Sequence, residues 1–189
     1  MDSTENLTVS AARDGDRSAF GRLYDRFAPM VHGILLARVP VGEVDDLVQD
    51  VFLLAFTRIQ ALRDTSSFGA WLAAIARNRA FDYHRRPKEV LDPVEPEVEE
   101  PAPDHALQAE AADVLSSIRG LPETYRETLM LRLVEGMTGP EIAARTGLTP
   151  GSVRVNLHRG MQQLRQKLAD SGGRFRNMVP ESRMTEQGE

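Results

Sequence analysis

The segment PKEVLDPVEPEVEEPAPDH, from Pro87 to His105, sets the limits within which the rest of the chain must fold. It holds five prolines and seven acids against one lysine. Proline fixes φ and removes a backbone donor, and like charges repel, so the segment is expected to be extended and solvated. The other reading is a surface loop, but 19 residues without structure are uncommon inside one compact domain. The sequence therefore predicts an interdomain linker, able to span about 25 Å as flexible coil or about 60 Å as polyproline II. Two bodies of modest size flank it.

The chain carries a net charge of −5, and most of its acidity sits in this tether, so the flanking bodies are close to neutral together. There is no cysteine. Disulfides, thiolate metal sites and a cysteine nucleophile are thereby excluded, and a reducing cytoplasm is the expected location. No apolar run approaches the roughly 18 residues that a membrane span needs. The N-terminal stretch MDSTENLTVSAARDGD is polar and acidic, unlike a secretory signal.

Apolar residues upstream of the linker recur at helical spacing. Phe20, Leu23, Phe27, Val31, Ile34 and Leu35 form one stripe, with Pro29 predicting a kink or break within it. Val44, Leu47, Val48, Val51 and Phe52 form a second helix, and Phe68, Trp71, Leu72, Ile75 and Ala76 a third. Downstream, Leu107, Ala111, Val114, Leu115 and Ile118 mark a helix ending near Gly120, and another begins at Pro122. No segment alternates with period two for long enough to predict a strand. The fold class is all-α, with two small helical domains at residues 1–86 and 106–170, a linker at 87–105 and a disordered tail at 171–189.

The stretch PEIAARTGLTPGSVRVNLHRGMQQLRQKL reads as helix, tight turn, helix. Gly147 suits a turn that needs positive φ, Thr149 an N-cap, and Pro150 a first helical position. Val153, Leu157, Met161, Leu164 and Leu168 make an apolar stripe, leaving Val155, His158, Arg159 and Gln162 pointing away and Arg154 on its flank. Five Lys/Arg residues and no acid lie between Glu141 and Asp170. An acid there would repel a DNA backbone, so the pattern favours a DNA-reading helix-turn-helix over a solvated helix pair.

Two further sets carry charge. FGAWLAAIARNRAFDYHRR ends in Arg77, Arg79, Arg85 and Arg86, with Asn78, Tyr83 and His84 interleaved. Such a set suits a nucleic-acid backbone and unstacked bases, or simply complements a helix C-terminus. Trp71 falls on the apolar face and is expected in the core. In EVDDLVQDVFLLAF, Asp46, Gln49 and Asp50 share a polar face. No histidine joins them at ligand spacing, which leaves a solvated face or a protein-docking face.

Taken in order, AFGRLYDRFAPMVHGILL, DDLVQDVFLLAF, FGAWLAAIARNRAFDYHRR and the helix-turn-helix resemble a bacterial sigma factor of the extracytoplasmic-function group, sigma-70 family. The resemblance covers about Ala19 to Arg86 and Ala106 to Leu168. It implies that D-x-x-Q-[DE]-x-F, here Asp46, Gln49, Asp50 and Phe52, binds the β′ clamp helices of core RNA polymerase, with the β subunit a further contact. It implies that Asn78 and the loop with Asp64, Thr65 and Ser66 hold a flipped base of the −10 element, while Arg85 and Arg86 hold phosphates. The C-terminal domain would read the −35 element through Arg154, Val155, His158 and Arg159. The linker would thread the polymerase channel, and an anti-sigma factor would sequester the chain.

Three function classes follow. The first is a non-enzymatic polymerase subunit, monomeric outside the holoenzyme, that supplies promoter specificity. The second is a dimeric helix-turn-helix regulator acting without replacing a sigma subunit. The third, an enzyme, finds no nucleophile–base pair, cofactor motif or metal constellation in the sequence.

Overall fold

The computed structural model describes residues 3–85 and 105–170. Arg86, nearly all of the linker and the tail lie outside the described residues. Within them the regular elements are all helical: α1 (Ser3–Arg13), α2 (Arg17–Leu36), α3 (Val44–Arg58), α4 (Phe68–Arg85), α5 (His105–Arg119), α6 (Glu123–Leu133), α7 (Gly139–Thr146) and α8 (Pro150–Asp170), with three short 3₁₀ turns. The all-α expectation therefore holds.

The N-terminal half is built around α2, against which α1, α3 and α4 pack. Asp16 starts α2 by accepting hydrogen bonds from the backbone N–H groups of Ser18 at 2.8 Å and Ala19 at 3.1 Å. Pro29 does not break the helix, which continues to Leu36. Leu23, Phe27, Met30, Val31, Ile34 and Leu35 are all buried along it. Each such side chain stabilises by about 1.5–3 kcal/mol, and an interior proline costs roughly 3 kcal/mol. Packing outweighs the local defect. Aromatic edges join the helices: Phe27 meets Phe68 at 5.1 Å between centroids, and Tyr24 meets Phe52 at 4.5 Å.

The C-terminal half has α8 as its spine, packed on α5, α6 and α7. Thr138 and Glu141 form a reciprocal capping box that starts α7. Gly147 ends it at φ +77°, donating to the Ala143 carbonyl. Thr149 Oγ1 accepts from the Ser152 N–H at 3.1 Å and so caps α8. The predicted stripe is buried at Val153, Met161, Leu164 and Leu168, with Leu157 half-buried. Gly160 lies on that face too, where an added Cβ would come within 3.0 Å of the Tyr125 side chain.

Although the sequence separates the halves with a tether, the described helices on its two sides touch. α2 packs on α6, and α4 on α7. Buried side chains from both halves form one continuous core.

Candidate nucleic-acid interface

The outer face of α8 presents Arg154, Val155, His158 and Arg159, all exposed. The two caps fix the turn ahead of this helix, so its first turn is held at a defined angle to α7. A helix presented in this way, with arginines outward and its N-terminal N–H groups free of intrahelical partners, suits a DNA major groove. Structure and sequence agree on where these four side chains point.

Along α4 the basic set divides. Arg77 donates to Glu127 of α6 at 2.6 Å and Arg79 to Asp50 of α3 at 2.9 Å, so both guanidiniums are engaged within the protein. His84 lies 2.9 Å from the Arg38 carbonyl and Tyr83 is half-buried. Asn78 and Arg85 remain exposed. Between them, one residue that composition alone does not flag is Phe81, with 62% of its surface exposed and the Arg85 guanidinium 5.6 Å from its ring centre. Asn78, Phe81 and Arg85 fall at i, i+3 and i+7, so they share one face. That spacing was legible in the sequence. What hid it was the expectation that an aromatic ring belongs in the core.

The Asp64–Thr65–Ser66 loop precedes α4 and is held by its own side chains. Asp64 Oδ1 accepts from the Ser66 N–H at 2.9 Å and the Ser66 hydroxyl at 2.7 Å. These bonds from the Ser66 side chain and backbone hold the Asp64 carboxyl below its ordinary range. Asp64 therefore shapes the loop as an anion. Asn78 lies ten residues into α4, about 15 Å along its axis from the loop.

On α3, Asp46 and Gln49 are exposed, whereas Asp50 is half-exposed and paired with Arg79. Phe52 is only 3% exposed, wedged between Phe20 and Tyr24. It anchors the helix from beneath instead of facing outward. The apolar groups that continue the Asp46–Gln49 stripe outward are Leu53 and Phe56, one and two further turns along. Among the described residues no helix is long and apolar enough to cross a membrane.

Comparison with known proteins places these parts in context. Family models for sigma-70 region 2 and sigma-70 region 4 match residues 23–89 and 111–164. The chain is 30% identical over 180 residues to the ECF RNA polymerase sigma-E factor of Escherichia coli strain K12, covering 87% of this chain and 94% of that protein. It is 33% identical over 165 residues to the RNA polymerase sigma factor CarQ of Myxococcus xanthus, covering 84% and 94%. Among solved structures, CnrH in complex with the cytosolic domain of CnrY superimposes with a TM-score of 0.64 at 27% identity, covering 89% of this chain and 99% of that one. The sigma factor RpoE in complex with the anti-sigma factor NepR, from Bartonella quintana, shares the fold with a TM-score of 0.54 at 24% identity, covering 79% and 96%.

Proposed function

The chain belongs to the extracytoplasmic-function sigma factors of the sigma-70 family, and from that premise we propose how its parts share promoter-specific transcription initiation by RNA polymerase. It is a regulator of initiation that brings core polymerase to DNA. The exposed Asp46 and Gln49 of α3, with Asp50 and Phe52 supporting them, dock on the β′ clamp helices. Leu53 and Phe56 extend that contact with apolar surface. Residues 1–86 form the domain that engages polymerase and the −10 element, and residues 106–170 the domain that engages the −35 element.

At −10, Asn78 and the Asp64–Thr65–Ser66 loop hold the displaced strand, with Arg85 and Arg86 on its phosphates. Phe81, outward beside Asn78, offers a stacking face to an unpaired base; such contacts are worth about 1–3 kcal/mol each. Flipping a base costs a few kcal/mol, so a hydrogen-bonding amide and a stacking ring on one face are enough to offset it. At −35, Arg154, Val155, His158 and Arg159 read the major groove. The segment 87–105 connects the two across the polymerase, and an anti-sigma factor restrains the chain by covering its polymerase and DNA faces.

One observation carries this reading: a docking helix, a basic helix with an exposed amide, and an outward-facing helix-turn-helix occur in that order in one chain. A dimeric regulator would need neither the docking helix nor the basic helix. The relatives that span nearly the whole chain are sigma factors, which favours the polymerase subunit over that alternative. The experiment is run-off transcription with purified core polymerase, paired with co-purification of Asp46→Arg. We expect wild type to direct initiation, and the variant to keep its helical content while losing core polymerase. A chain that bound a symmetric operator alone and directed no initiation would overturn the reading.

A further inference from the structure

The contact between the halves is made by side chains that have no other evident task. Glu127 of α6 is only 6% exposed, and it accepts from Arg38 of α2 at 2.5 Å and Arg77 of α4 at 2.6 Å. Arg119 donates to the carbonyls of Leu36 and Val39, and Arg126 to that of Ala37, so the C-terminal half satisfies the open end of α2. Arg145 of α7 reaches the Arg26 carbonyl at 3.3 Å and lies over the Phe27 ring.

Glycines sit where the halves come nearest. A Cβ on Gly33, in the middle of α2, would fall 2.8 Å from Leu131 Cδ2 and 2.9 Å from Glu135 Cγ. One on Gly69 would fall 2.7 Å from the Arg145 carbonyl oxygen, and one on Gly147 2.8 Å from the Ala70 Cβ. Glycine is unfavourable inside a helix. Gly33 has its three nearest outside neighbours in Leu131 and Glu135 alone, so its closeness serves the contact with α6.

We propose that this packing is an autoinhibitory closed state of the free chain, which must open before the two halves can occupy their promoter elements together. The inference rests on the function proposed above, and geometry makes it follow. Elements centred near −10 and −35 are about 25 base pairs apart, roughly 85 Å at 3.4 Å per pair. A compact body of roughly 150 residues has a radius of gyration of about 15 Å and is roughly 40 Å across. The closed chain cannot span that distance. Two separate halves on a tether of up to about 60 Å can. Closure also occupies Arg77, a cation of the −10 helix, with Glu127, and sets α7 against α4. The closed state leaves Asp46 and Gln49 exposed. Polymerase can thus be met first and the halves parted afterwards.

The test uses the full chain, which lacks cysteine, so that Gln60→Cys and Gln166→Cys accept a donor and an acceptor dye at exposed sites on the two halves. Two opening substitutions lie on opposite sides of the contact and outside the proposed polymerase and DNA faces: Gly33→Gln and Glu127→Arg. Wild type is expected to show high energy transfer, which falls in either variant while helical content is kept. In run-off transcription with core polymerase, the concentration of chain giving half-maximal product should fall, by about tenfold if one wild-type chain in ten is open. Should Glu127→Arg fail to fold, Gly33→Gln carries the test from the other half. Low transfer in free wild type, or lost transfer with an unchanged transcription curve, overturns the inhibitory role. No product from wild type or variants overturns the sigma-factor reading itself, whatever the dyes report.

Discussion

Glu127 shows how one side chain is decided by opposing terms of comparable size. Burial pushes its carboxyl upward, and Arg77 and Arg38 together pull it below its ordinary value. Its contribution is therefore present at neutral pH and lost as pH falls through that depressed value. His32 has the opposite sign. Its hydrogen bond to Glu135, 2.6 Å away, raises its pKa, partial burial lowers it, and the charges of Glu135 and Asp45 raise it further. The pair stabilises the contact fully below the unfolded value of 6.5, and that gain disappears as pH rises through the raised folded value. Melting curves between pH 6 and 9 should thus show a fall in Tm for wild type that is absent in His32→Gln. At the DNA face, Arg154→Ala should weaken −35 binding by about 1–3 kcal/mol and relax preference at one base pair if its contact is to a base edge. Competition binding with single-position promoter variants distinguishes this from a uniform loss, which would assign Arg154 to phosphate.

At the scale of the element, the helix-turn-helix is fixed by its caps. Thr149→Ala removes the acceptor for the Ser152 N–H, and Thr138→Ala breaks the α7 capping box. Each should cost about 1 kcal/mol in urea unfolding. These signals were readable because a cap is a local event: Thr149, Pro150 and Gly147 act on backbone groups within a few residues. α2 teaches the reverse. Pro29 predicted a break or kink, yet the helix runs through it, because the buried stripe from Leu23 to Leu35 was worth more than one missing N–H. Pro29→Ala should consequently stabilise the protein by up to about 3 kcal/mol, read as a raised urea midpoint with unchanged slope.

For the whole molecule, charge and reach decide the behaviour. The acidity is gathered in a tether that repels DNA, while the helix-turn-helix between Glu141 and Asp170 is free of acids. Binding to promoter DNA by the holoenzyme should weaken steeply with salt, and Arg159→Ala should reduce the slope of log affinity against log salt by about one if that side chain sits on a phosphate. Filter binding at several salt concentrations measures it.

By itself the sequence determined the helices, the helix-turn-helix with its caps, the outward side of α8 and the family to which the chain belongs. All of these depend on periodicity, on backbone geometry within one turn, or on motifs contiguous in the chain. Tertiary structure alone decided which arginines are engaged: Arg77 and Arg79 looked equivalent to Arg85 until Glu127 and Asp50 were brought beside them. It also turned Phe52 inward and left Phe81 outside, since an aromatic ring on a helix is buried only if another element arrives to cover it. The meeting of the two halves belongs to the same class. Gly33, Gly69 and Glu127 acquire meaning from partners some 75 to 105 residues away or across the tether, and no local pattern encodes a contact whose other side lies that far along the chain.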